Sequence, residues 1–196
     1  MKLSGTAPGG FTVDCGATHL AAAPAAARAR VAGSLMREAM RRTEREYAAL
    51  FDAATGAPLG ERAKGLPDQV SIEPILRRCP PGHRSIAVHS HPHRLPFSLK
   101  DAAVLPEQPA LWALAVIGRD GSWYVLSVAP GHPTPTTAAL RATMQQQLLA
   151  IASQSTVPPF AGPLAARREH WPAAWERAAP TLGWRYDRVR GNQSNA

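Results

Sequence analysis

His89-Ser90-His91-Pro92, followed by Ser98 and Asp101, sets two imidazoles and a carboxylate where they can hold one metal ion and leave a coordination position open. Zinc is the expected ion for that donor set, because three protein ligands plus a water make a hydrolytic centre, whereas four protein ligands make a structural one. The competing reading is a polar loop in which the histidines serve only as hydrogen-bonding groups, since short motifs also recur without function.

The elements around these residues must bring them together. Ser85-Ile86-Ala87-Val88 is a short, mostly apolar run, so a buried strand is expected to enter the motif. Alternation along a strand sends His89 and His91 to one side and Ser90 to the other. Pro92 lacks an N–H, so pairing is expected to stop there and the chain to turn away through His93, Arg94, Leu95 and Pro96. Ser98 suits the N-cap of a helix running through Leu99-Lys100-Asp101-Ala102-Ala103-Val104. Asp101 then lies in the first turn, where the helix dipole favours its carboxylate and it can point back at the histidines as third ligand. His93 is assigned to the loop or rim. His19, His83, His132 and His170 have no partner spacing and are expected on the surface or in ordinary hydrogen bonds.

These residues resemble the signature of the JAMM metalloproteases, also called JAB or MPN, and of their RadC-like relatives. That signature is an upstream glutamate, His-x-His-Pro, a serine separated from the second histidine by seven residues, then two residues and an aspartate. Glu46, His89, His91, Pro92, Ser98 and Asp101 match it, with six residues instead of seven between His91 and Ser98. Loops absorb such a length change better than the elements they join. The family's glutamate sits in an acidic-aromatic-aliphatic run at the start of the first core strand. Glu46-Tyr47-Ala48-Ala49-Leu50-Phe51-Asp52 is similar, and Thr55-Gly56 suits the following turn.

The resemblance implies that Glu46 is a general base, taking a proton from the attacking water and passing it to the leaving amine. It implies that Ser98 donates to the developing oxyanion as well as capping its helix. Glu44 is the near rival of Glu46, and either could be a solvated charge at the end of a basic helix. The implied fold is α+β in α/β/α layers, a JAMM/MPN-like (cytidine-deaminase-like) central mixed sheet flanked by helices. The implied activity is that of a zinc (Zn2+) metallopeptidase or isopeptidase acting on a peptide, a protein tail or a ubiquitin-like conjugate. A RadC-like protein associated with nucleic acid, or a catalytically inactive binding scaffold, is the alternative.

Beyond the motif, Val31, Leu35, Met36 and Met40 predict one face of a helix from Ala25 to Arg45. A second strand is expected at Gln69-Val70-Ser71-Ile72 and a short helix from Glu73 to Arg78, ended by Cys79-Pro80-Pro81-Gly82. Leu111 to Ile117 and Trp123 to Val128 flank Arg119-Asp120-Gly121-Ser122, a strong hairpin signal. Helices are expected from Thr136 to Ser153 and from Pro163 to Ala178, the second with Trp171 and Trp175 packing inward and Pro172 as a break or kink. The chain thus divides into an N-terminal extension (1–24, with Phe11-Thr12-Val13 as a strand), a catalytic domain (25–130) and a helical C-terminal extension (131–196) ending in a polar tail.

Composition bounds the rest. With 196 residues and 45% hydrophobic content, the chain can bury a sizeable core, and it has no apolar stretch long enough to span a membrane. Cys15 and Cys79, without a CxxC, argue against a disulfide framework or a zinc ribbon, so a reducing cytoplasm is expected. The first residues have no apolar core of the kind a secretory signal needs. The net charge of +8 suits an acidic protein partner or a nucleic-acid backbone. An arginine-rich chain from a GC-rich genome has the same balance, and no basic-aromatic recognition module accompanies it.

Overall fold

The computed structural model describes residues 24–190 except 68, 78–83, 93–94, 130 and 155–161. In chain order its elements are α1 (Pro24–Thr43), β1 (Tyr47–Asp52), β2 (Ala63–Lys64), α2 (Glu73–Leu76), β3 (Ser85–His91), α3 (Leu99–Glu107), β4 (Leu111–Gly118), β5 (Trp123–Val128), α4 (Thr137–Ala152), α5 (Gly162–Thr181) and β6 (Trp184–Val189). The strands form a six-stranded mixed sheet in the order β2-β1-β3-β4-β5-β6. Only β3 and β4 pair in parallel, and α3 is the crossover that such a pair requires.

Strand alternation divides the core into two layers. Ile86 and Val88 of β3 pack with Met36 and Met40 of α1, Tyr47 and Phe51 of β1, and Ala113 and Ala115 of β4. Ala87 faces the other way, with Leu50, Leu114 and Leu126, against residues of α2, α3, α4 and α5 such as Leu76, Leu105, Leu140 and Trp175. Helices therefore flank both faces of the sheet. The fold is α+β, the coarse class that the resemblance implies.

Several local expectations are met. The β4–β5 hairpin turns at Gly121, whose φ of 85° suits glycine. Thr136 caps α4, its hydroxyl accepting from Ala139 N at 3.1 Å. Trp175 is fully buried and Trp171 packs partly buried against the same core.

Others are corrected. The second strand is at Ala63–Lys64 and not at 69–72, because Leu66 N bonds Gln69 O at 2.7 Å and turns the chain back before 69. The turn is tight enough that a Cβ on Gly65 would lie 2.1 Å from Gln69 O. Of the predicted α1 face, Met36 and Met40 are buried, but Val31 and Leu35 are 63% and 59% exposed. The buried stripe instead includes Gly33, where an added Cβ would come 2.5 Å from the Trp123 ring, so the helix approaches the sheet along its smallest side. Pro172 does not break α5, which runs continuously from Gly162 to Thr181. The segment 131–196 is more than helical: β6 pairs antiparallel with β5 from Trp123↔Val189 to Val128↔Trp184. The expected strand at 11–13 lies outside the described residues. Among the described residues, no helix is long and apolar enough to cross a membrane.

Candidate metal centre

β3 delivers the histidines. His89 and His91 leave the strand on the side of Ala87, whereas Ser90 faces the α1 side, where its Oγ accepts from Tyr47 N at 2.9 Å. That bond ties the start of β1 to the middle of the motif. Ser98 caps α3 in a reciprocal box: its Oγ accepts from Asp101 N at 3.1 Å, and Asp101 Oδ2 accepts from Ser98 N at 2.7 Å. The box aims the Asp101 carboxylate at the end of β3.

The three predicted ligands converge. His89 Nε2 lies 2.9 Å from His91 Nε2. Asp101 Oδ1 is 3.7 Å from His89 Nε2, and Oδ2 is 3.4 Å from His91 Nε2. One ligand atom from each residue lies within 4.8 Å of the others, so the triad could hold a metal ion. Side-chain exposure is 6% at His89, 12% at His91 and 24% at Asp101, which leaves the carboxylate side of the triangle nearest solvent. His91 Nδ1 lies 3.2 Å from Leu95 O. As the Nδ1–H donor it leaves Nε2 free to ligate, the kind of outer partner that fixes a ligand imidazole.

The electrostatics suit a cation. Burial lowers the His89 pKa to about 4, outweighing the Asp101 charge, so this imidazole is neutral at physiological pH. Burial would also lower His91, but its hydrogen bond to Asp101 and the charges of Asp101 and Glu46 outweigh that and raise its pKa. Burial would raise Asp101, yet the two imidazoles and the Ser98 cap hold it well below the usual carboxylate range. Without metal, the His91 proton neutralises the carboxylate at the spot where a cation would sit.

A metal ion bound by the triad would displace that proton. Isothermal titration with a divalent metal ion, in buffers of different ionisation enthalpy, should show close to one proton leaving the histidines per ion bound at pH 6. Apparent affinity should fall about tenfold per pH unit below the raised His91 pKa. The metal-free protein should be most stable near pH 6.5. His91, with its raised folded pKa, contributes stability that is fully present below about 6.5 and lost as pH rises through the folded value. His89, with its lowered folded pKa, costs stability as pH falls from about 6.5 towards 4, at up to about 1.4 kcal/mol per unit. Denaturant titrations across that range check this, and the absence of a maximum there would show that neither imidazole changes its titration on folding.

Glu46 lies just before β1. Its N–H donates to Leu66 O at 2.9 Å and its carbonyl accepts from Gly65 N at 2.8 Å, so the two residues that follow β2 hold it. The β1–β3 register pairs Ala48 with His89, two residues on from Glu46, and the charge of Glu46 acts on His91. Glu46 is 5% exposed. Its rival Glu44 is exposed and has a φ of 54° in the turn between α1 and β1. His93 and Arg94 lie outside the described residues, as do His19 and His83. His132 and His170 lie on other elements than the triad, His132 beside Gly183 and His170 on α5.

The Leu95 carbonyl has no counterpart in the sequence reading, because a backbone acceptor carries no residue-type signal. No protein-family model, curated protein or solved structure matches the chain.

Proposed function

We propose that this protein is a zinc-dependent hydrolase of the JAMM type, a peptidase or isopeptidase. The observation that carries the reading is the buried Glu46, whose charge acts on His91 of the converging His-His-Asp triad. Zinc suits the donor set: bonds of about 2.0–2.1 Å at tetrahedral angles separate ligand atoms by about 3.3 Å. The two Nε2 atoms lie 2.9 Å apart, and the Asp101 oxygens Oδ1 and Oδ2 lie 3.7 Å from His89 and 3.4 Å from His91, close to that value. The mixed sheet with helices on both faces is consistent with the layered fold that the motif resemblance implies.

Zinc held by His89, His91 and Asp101 would supply Lewis acidity, polarising a carbonyl and acidifying a water. Glu46 takes the proton from that water as its oxygen attacks the carbonyl carbon. It returns the proton to the amine as the C–N bond breaks, which leaves a carboxylate and a free amine. Ser98 Oγ spends a lone pair on the helix cap, and its O–H stays available to donate to the carbonyl oxygen as charge builds. Ser98→Ala should therefore lower kcat about a hundredfold and also cost about 1 kcal/mol of stability through the lost cap. Turnover and thermal unfolding of one variant would separate the two. Unchanged turnover would reduce Ser98 to a cap.

Peptides and lysine-linked ubiquitin-like conjugates are the substrate class by resemblance. The test is cleavage of a panel of peptide and isopeptide substrates by zinc-loaded protein, with chelator removing activity and zinc restoring it. A zinc-loaded protein that cleaves none of them would overturn the hydrolase reading, as would protein that takes up no zinc when it is offered. A second reading, nucleic-acid association, draws on the exposed Arg41, Arg45, Arg62 and Lys64 near the end of α1 and β2. Salt-sensitive DNA binding without cleavage would select it.

A further inference from the structure

Phe97, immediately before the α3 cap, is fully buried. Its carbonyl accepts a hydrogen bond from Trp175 Nε1 at 3.1 Å, and the two rings meet edge to face with centroids 6.2 Å apart. Trp175 belongs to α5, seventy-eight positions later in the chain, and shares a core cluster with Ala102, Ala103 and Leu105 of α3. Two residues before Phe97 is Leu95, whose carbonyl meets His91 Nδ1. One residue after it is Ser98, whose cap aims Asp101. The four residues Leu95 to Ser98 thus carry an orienting contact for one metal ligand at one end and for another at the other end. Trp175 grips them in between.

We infer that Trp175 is a positioning residue for the metal centre, and that α5 is thereby part of the site and not an appendage to it. The inference rests on the reading of His89, His91 and Asp101 as metal ligands. The physical basis is the pairing itself: indole N–H is a donor only, the Phe97 carbonyl it satisfies is buried, and a bulky ring with two torsions holds its partner rigidly. Phenylalanine at 175 would keep an aromatic ring against Phe97 but leave that carbonyl without this donor. The segment could then shift, and with it both orienting contacts. Outer partners of metal ligands typically change affinity by about 10- to 100-fold, and a residue one step further out should fall near the lower end.

The experiment compares wild type, Trp175→Phe and Met36→Ala, the last a fully buried residue on the opposite face of the sheet that controls for general loss of stability. Three quantities are read: zinc affinity by competition with a chromophoric chelator, the visible bands of the cobalt-substituted protein, and hydrogen exchange of the Ser98 and Asp101 amides without metal. Trp175→Phe should bind zinc about tenfold more weakly, shift the cobalt bands and exchange faster at both amides. Met36→Ala should leave the affinity and the bands at wild-type values. Wild-type affinity, bands and exchange in Trp175→Phe, or equal changes in both variants, would overturn the inference. Failure of the wild type to take metal would refute the metal reading instead, and the exchange at Ser98 and Asp101 would still decide whether Trp175 holds the segment.

Discussion

His91→Ala and Asp101→Asn should each lower tightly bound zinc from about one ion per chain to none, measured by elemental analysis after gel filtration. Each removes one of three donors that lie within 4.8 Å of one another, and two remaining donors hold zinc too weakly to survive separation. Asparagine at 101 separates ligation from folding. Its amide oxygen can still accept from Ser98 N, so the cap that starts α3 is kept while the charge that faces the histidines is lost. A second readout needs no separation step. Free zinc at a thousandfold excess over Kd should stabilise the wild type by about 4 kcal/mol, a rise in Tm of roughly 10 °C, and should leave both variants unmoved. A full complement of zinc in Asp101→Asn would remove Asp101 from the ligand set.

Glu46→Gln should leave zinc content near one per chain and lower turnover by about 10²- to 10⁴-fold. Glutamine keeps the volume at a position that is 5% exposed and loses only the ability to take a proton. Glu44→Gln should have wild-type activity, because Glu44 points into solvent from the turn after α1. The pair is a direct contest between the two glutamates that precede β1. Near wild-type turnover of Glu46→Gln would end the general-base assignment whatever the metal content.

Where the sequence spoke for the site, it did so through local rules. Alternation alone placed His89 and His91 together with Ser90 opposite, and the Ser98 cap three residues before Asp101 set the direction of the carboxylate. The hairpin at Gly121 and the cap at Thr136 were legible for the same reason, since each is decided within a few residues. The choice between Glu44 and Glu46 was not local. Pairing of the chain around β1 with its neighbours resolved their placement by burying Glu46 and leaving Glu44 exposed.

Other decisions belonged to contacts distant in sequence. Val31 and Leu35 fit a helical stripe with Met36 and Met40, but how closely a helix can approach a sheet depends on the far side of the contact, and Gly33 meeting Trp123 turned α1 another way. The strand expected at 69–72 lost to 63–64 because Gly65 and Leu66 bond Glu46 and the turn that follows folds Gln69 back on Gly65. β6 went unread although Trp184 and Tyr186 alternate with Arg185 and Asp187, because so short a run in a stretch otherwise helical depends on its partner, here β5. By itself, then, the sequence determined which residues could ligate and the order of the elements that carry them. Tertiary structure alone decided that Glu46 is buried where its charge acts on His91 and that Trp175 reaches back to Phe97, because register and packing depend on pairs of residues far apart in the chain.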